Sequence, residues 1–287
     1  MGQRILVTGA TGTVGREVVP RLAVEGVKVR AAARHPRMLA LPEEHVEIMA
    51  MDLRNPSDLD RALEDAEKIL YISPLDETMA EHAALMVERA QAQGVRHMVR
   101  LSALGVGSSR NITLAKVHGE VERIIRGSGI EWTFLRPNAF MQNFITYWGE
   151  SIRKENAFFI PQGQGRVSII DARDIADVAV VALTQAGHAG RVYELCGPEA
   201  LSNNDIAESL SAVLGREISY RDIPAEEARS ALIAQGMSEW MMNVIMELFE
   251  MSAADEAAEV NGEVERLIGR AAIRFEDFAR DFSHAFN

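Results

Sequence analysis

The run Gly9-Ala10-Thr11-Gly12-Thr13-Val14-Gly15 constrains this chain more than any other stretch. It follows the apolar run at 4–8 and precedes an apolar-periodic stretch at 14–22. Strand, glycine turn and helix form the context in which such spacing carries meaning. The first glycine permits a tight turn, the second lets backbone approach a pyrophosphate, and the third lets helix and strand pack closely. The N-terminus of the helix offers unpaired N–H groups and a partial positive charge to phosphates. Gly9, Thr11, Gly12, Thr13, Val14 and Gly15 are therefore expected to hold a dinucleotide.

The rest of the chain continues the pattern. Apolar runs at 27–33, 46–51, 68–72, 97–101 and 132–135 read as strands, with helical periodicity at 57–63, 79–93 and 114–125 between them. Such alternation means βαβ units and a parallel sheet covered on both faces. After about residue 138 the rhythm loosens. Short strands are expected at 158–160, 167–170, 192–195 and 218–220, and helices at 174–183 and 206–214, the second opened by a Ser202/Asp205 capping box and closed at Gly215. The expected fold class is α/β: a Rossmann-type doubly wound parallel sheet with a small discontinuous α/β C-terminal lobe. Residues 1–150, with returning elements at about 167–197, form the NAD(P)-binding domain. Residues at about 151–166 and 198–287 form the smaller, substrate-side lobe, over the strand ends where open α/β sheets bind ligands.

Composition narrows the partners. Against 30 Lys and Arg stand 42 Asp and Glu, a net charge of −12, which repels a phosphate backbone and argues against nucleic acid. The single cysteine, Cys196, builds no disulfide framework and fits a reducing compartment. No signal-like segment precedes the first strand and no run approaches the ~18 apolar residues of a spanning helix, so a cytoplasmic chain without membrane contact is expected. The seven histidines show no HxxxH pair and there is no CxxC, so no zinc spacing is visible. No G-x-S-x-G elbow and no Walker loop occur, which argues against a serine hydrolase and a P-loop nucleotidase.

The dinucleotide is read from the end of the second strand. NAD binders place a carboxylate there for the ribose 2′-OH. This chain has Ala33-Arg34-His35-Pro36-Arg37, with no acid. A guanidinium pairs with a 2′-phosphate, and one such charge-assisted bond contributes about 1.5–3 kcal/mol. NADP(H) is the expected cofactor, with Arg34 as main contact, His35 beside it, and NAD(H) as the second choice. Asp52, followed by Leu53, is either an adenine-side neighbour or a helix cap ahead of Pro56.

With these residues in place, the chain resembles the NmrA-like group of atypical short-chain dehydrogenase/reductases, nearest the branch of triphenylmethane reductase and NADPH:quinone oxidoreductase. The Gly9 loop, Arg34, Asp52-Leu53, Ser102 and the run Phe134-Leu135-Arg136-Pro137-Asn138 carry the resemblance, which extends to Val264-Glu265-Arg266-Leu267 and Phe275-Glu276-Asp277-Phe278. It implies that Ser73, Pro74, Pro137 and Asn138 adjoin the cofactor and that Ser102 lies on the substrate side, where a strand-end structural role is the alternative. The wider superfamily uses Tyr-x-x-x-Lys on the helix after the fifth strand, tyrosine as acid and lysine on the ribose. Those positions here are Leu114 and His118; a register two residues away gives Ile112 and Lys116, again without tyrosine. Leucine donates no proton, while His118 is a donor near the nicotinamide, so His118 and Ser102 are the catalytic candidates.

Phe140, Met141, Phe144, Tyr147 and Trp148 follow the sixth strand, and aromatic density of this kind suits either a flat apolar ligand or a buried helix face. The methionine-rich run around Trp240 suits a lid over an adaptable pocket, or core or dimer packing. The expected substrate is a small aromatic or quinone-like acceptor that takes hydride without concerted protonation. The alternatives are a non-catalytic NADP(H) sensor of NmrA type and an isomerase or biosynthetic reductase. A homodimer is implied only by analogy.

Overall fold

In the computed structural model, which describes residues 4–36, 45–107 and 112–287, strand β1 (Arg4–Val7) buries Ile5, Leu6 and Val7 completely. A run without polar alternation suits a strand covered on both faces. The glycine turn leads into α1 (Gly15–Val24), which buries Val18, Val19 and Leu22. Then come β2 (Lys28–Ala33), β3 (Val46–Ala50), α2 (Pro56–Leu63), β4 (Lys68–Tyr71), α3 (Met79–Ala92), β5 (His97–Leu101), α4 (Thr113–Arg126) and β6 (Glu131–Pro137). Helix α2 starts where Asn55 accepts a bond from the Ser57 N–H, with Pro56 in the first turn.

The alternation then breaks. Helices α5 (Asn143–Thr146) and α6 (Gly149–Glu155) precede two short strands, β7 (Ala157–Phe159) and β8 (Arg166–Val167). The expected strand at 167–170 is reduced to β8, because the Ser168 N–H turns to the Ala257 carbonyl at 2.9 Å. Helix α7 (Ala172–Thr184) and β9 (Arg191–Leu195) follow. Last come β10 (Leu201–Ser202), α8 (Asn203–Leu214), β11 (Ser219–Arg221), α9 (Ala225–Ala234), α10 (Glu239–Ala253), α11 (Glu263–Ile268) and α12 (Phe275–Asp281). The Ser202/Asp205 capping box opens α8, and Gly215 closes it with φ +66°.

The chain forms two compact units, Met1–Pro137 with Ala172–Glu194, and Asn138–Asp171 with Leu195–Asn287. The rhythm of the sequence loosens after about residue 138, while the first domain is expected to span 1–150 with returning elements at about 167–197; the first unit comprises Met1–Pro137 and Ala172–Glu194. In the first unit the sheet order is β3-β2-β1-β4-β5-β6-β9, and every pairing from β3 through β6 is parallel. One face of its core joins Leu6, Ile69, Met98 and Phe134 of the strands to Leu59, Ala83, Met86, Val121 and Ile125 of the helices. Helix α7 is tied to α1 by Arg21 and Asp177 at 2.7 Å. The second unit pairs β7 with β11 in parallel and β8 with β10 antiparallel. Its core is aromatic: Phe144 lies 5.5 Å from Phe158 and 5.4 Å from Phe275, ring centre to ring centre. Among the described residues, no helix is long and apolar enough to cross a membrane.

Candidate functional site

The order β2-β1-β4 reverses direction between β1 and β4, and parallel sheets bind ligands outside the carboxyl ends at such a point. The Thr8 hydroxyl joins those two ends, donating to the Ile72 carbonyl and accepting from the Ile72 N–H, both at 2.7 Å. The glycine turn sits here. Gly9 has φ +60°, and the Gly12 N–H closes the turn on the Gly9 carbonyl at 2.9 Å. A Cβ on Gly15 would stand 2.3 Å from the Gly9 oxygen, so the corner admits only backbone. Helix α1 follows the N-cap Val14, which supplies no side-chain cap; the Arg16 N–H turns back to the Gly12 carbonyl at 3.1 Å and the Glu17 N–H to the Val14 carbonyl at 3.0 Å, which tightens the turn against the helix start. Thr11 offers its carbonyl to Arg16 at 2.9 Å, while Thr13 is partly buried in the loop.

Beside this loop lie the ends of β2 and β3. The Ala10 N–H bonds the Ala32 carbonyl at 3.1 Å, and the Met51 N–H bonds the Ala33 carbonyl at 3.1 Å. Arg34 and His35 are exposed there; Arg37 lies outside the described residues. Asp52 is not the cap of α2, a role taken by Asn55. Its carboxylate instead receives Arg54: Nε at 3.0 and 3.2 Å, Nη2 at 2.6 Å and the backbone N–H at 2.9 Å. These bonds, with the further charge of Arg34, hold the Asp52 carboxyl well below the usual carboxylate range. Leu53 turns inward and packs against the core. Arg54 escaped the sequence reading, although it follows Asp52 by two residues.

The end of β4 is supported from beneath by Arg100, a fully buried arginine on β5. Its guanidinium donates to the Tyr71 carbonyl at 3.1 Å and to the Ser73 hydroxyl at 3.0 Å, and lies 4.9 Å from the Tyr71 ring centre. Burial pushes its pKa down to about 10. Ser73 and Pro74 are thus held at the switch point by Thr8 and Arg100 together. A charged residue inside an apolar strand was the signal for Arg100.

At the end of β5, the Ser102 hydroxyl donates to Glu122 at 2.7 Å, and its N–H bonds the Leu135 carbonyl at 2.7 Å. Arg136 clamps the same carboxylate at 2.9 and 2.7 Å. Helix α4 turns Ala115, His118 and Glu122 inward, with Leu114 half-buried and Lys116 exposed. Burial, reinforced by the charge of Arg100, pushes the His118 pKa down to about 3. Its Nδ1 is buried and has no hydrogen-bond partner among the described residues.

Pro137 is the last residue of the first unit's leading segment, and the second unit holds the candidates after it. Pro137 closes β6 and its carbonyl accepts from the Leu104 N–H at 3.0 Å. Asn138 is buried and donates to Ser168 and to the Ala257 carbonyl, both at 2.9 Å, so its amide organises its own unit. Met141 and Phe144 are core residues, Phe144 lying 5.1 Å from Trp148. Phe140, Trp148 and Trp240 keep part of their surface exposed. The methionines Met242 and Met246 pack with Ala228 between α9 and α10. Among the described residues, no cluster of His, Cys, Asp or Glu is placed to hold a metal ion.

A parallel sheet with a glycine cradle at its switch point defines the Rossmann-type nucleotide-binding class. Within that class the chain belongs to the NmrA-like family, whose model matches residues 1–280. It is 37% identical to the NAD(P)H azoreductase of Xenophilus azovorans, covering 98% of this chain and 99% of that protein. Two solved structures are also similar. The Citrobacter sp. triphenylmethane reductase complexed with NADP(H) superposes with a TM-score of 0.84 at 25% identity, over 96% of this chain and 99% of that one. The NADPH-dependent quinone oxidoreductase of Escherichia coli, complexed with NADPH, gives 0.85 at 26% identity, over 99% and 100%.

Proposed function

We propose that this chain is an NAD(P)H-dependent reductase, with NADP(H) preferred, that passes hydride to a quinone-like or other resonance-stabilised aromatic acceptor. The residues fit such a cofactor. The backbone-only corner at Gly15 and the uncapped start of α1 suit a pyrophosphate. Arg34, with His35 beside it, meets the 2′-phosphate. Ser73 and Pro74, held by Thr8 and Arg100, with Pro137, position the nicotinamide half. When bound, the reduced nicotinamide supplies the hydride.

The state of the protons around the end of β5 carries the choice of acceptor. The Ser102 proton is committed to Glu122, and the His118 ring is neutral and buried. Leu114 carries no proton to give. His118 serves as a neutral hydrogen-bonding group through its unpartnered Nδ1, and Ser102 through its oxygen lone pair. Neither is poised to protonate a carbonyl oxygen during hydride transfer, so acceptors whose product gathers protons from solvent are favoured. An azoreductase, a triphenylmethane reductase and a quinone oxidoreductase among the similar proteins agree with this chemistry. The half-exposed rings of Phe140, Trp148 and Trp240 offer surface to a small aromatic molecule.

NADPH oxidation against quinones, azo dyes, cationic triphenylmethane dyes and an acetophenone-like ketone tests the proposal. Turnover is expected with the first three classes and little with the ketone. Brisk ketone reduction contradicts the absence of an acid. Tight NADPH binding with silence across the whole panel replaces the enzyme by a redox sensor.

A further inference from the structure

We propose that Arg54 makes the site selective for a 2′-phosphorylated nucleotide by occupying Asp52, which keeps the Arg34 guanidinium available for the phosphate. This rests on the reading above that residues 9–15 hold a dinucleotide with its adenosine ribose at the end of β2.

The register Ala33↔Ala50 sets the ends of β2 and β3 side by side, so Arg34 and Asp52 leave the sheet from adjacent positions. The Ala10 to Ala32 bond brings the glycine loop to the same place. A bare carboxylate here would act twice against a 2′-phosphate. It would repel the phosphate directly, and it would pair with Arg34, whose charge already reaches Asp52. A ribose 2′-OH, by contrast, can donate to a carboxylate, as in NAD-binding sites. Left alone, Asp52 would therefore favour NADH.

Arg54 reverses that preference. It covers both carboxylate oxygens at 2.6–3.2 Å and adds its own N–H at 2.9 Å, so a single residue engages Asp52 from side chain and backbone. Among the described residues, Arg34 makes no ion pair and no side-chain hydrogen bond, and it is exposed. The Asp52–Arg54 pair is itself open to water, with side-chain exposures of 34% and 70%, and such surface pairs add little to folding stability. Its position against Arg34 gives it its use. Asp52 and Arg54 together present the nucleotide with one neutralised carboxylate and one free guanidinium.

Dissociation constants for NADPH, NADH and 2′,5′-ADP, measured by calorimetry on the wild-type chain, Arg54→Gln, Asp52→Asn and the double variant, test the idea without turnover. Arg54→Gln is expected to weaken NADPH and 2′,5′-ADP by about tenfold or more, the scale of one charge-assisted bond, while NADH binds as before or more tightly. Adding Asp52→Asn to Arg54→Gln should recover most of the NADPH affinity, since no carboxylate is left to cover. Equal losses for NADPH and NADH overturn the proposal, and so does a double variant that stays as weak as Arg54→Gln. A wild-type chain that binds neither nucleotide overturns the nucleotide site as well. A wild-type preference for NADPH that Arg54→Gln leaves intact overturns the role of Arg54 alone.

Discussion

At the scale of single residues, two buried histidines make the protein sensitive to acid. Burial, with the Arg100 charge, pushes His118 down to about 3; burial, with the Lys68 charge, pushes His97 down to about 4, where its Nε2 also meets the Thr133 hydroxyl at 2.8 Å. In the unfolded chain both rings take a proton below about 6.5. Both folded pKa values are depressed, so the native state binds fewer protons between roughly pH 6.5 and 4. Stability is full above that window and falls through it by about 1.4 kcal/mol per pH unit for each ring. Urea midpoints followed from about pH 7 to 5 should show this slope, and His118→Asn should remove about half of it. A variant with an undiminished slope would contradict a neutral buried ring. His118 and Ser102 stand out as candidates from their place in the chain. Their states are not legible there, because these depend on Arg100, Glu122 and Arg136, brought together by the sheet.

The junction of β1 and α1 is the element on which the site depends. A Cβ on Gly15 would meet the Gly9 oxygen at 2.3 Å and the Ala10 Cα at 2.8 Å, and neither is a flexible side-chain end that can swing away. Gly15→Ala should therefore push α1 off the turn, lowering stability by about 1–3 kcal/mol and nucleotide affinity by tenfold or more. Gly26→Ala is the comparison: φ is +72° with open space around it, so the substitution lowers stability by about 1 kcal/mol through backbone strain and leaves affinity unchanged. Urea melts and NADPH titrations of both variants check this, and equal losses of affinity would remove the nucleotide from the glycine loop. Elements defined by neighbouring residues, such as this turn and the Ser202/Asp205 box of α8, were readable in advance. The extent of strand β8 was not, since the Ser168 N–H goes to Ala257, far along the chain.

For the molecule as a whole, ligand binding should register as stability. NADPH at about one hundred times its Kd adds about 2.7 kcal/mol to the folded state. For a chain of this size that raises Tm by roughly 5 °C. NADH at the same concentration should give a smaller rise, and equal shifts for the two would count against selection at Arg34. The α/β class, the parallel sheet and the nucleotide loop followed from the sequence by itself. Each is written in local terms: apolar runs of strand length, helical periods between them, and glycines three residues apart. The tertiary structure alone decided which charges are neutralised and which protons are free. Ser102 is committed to a carboxylate on α4, Arg100 supports the end of β4 from within β5, and His118 is neutral through burial. Pairing and desolvation depend on groups that meet only once the sheet has formed, and no local pattern along the chain encodes them.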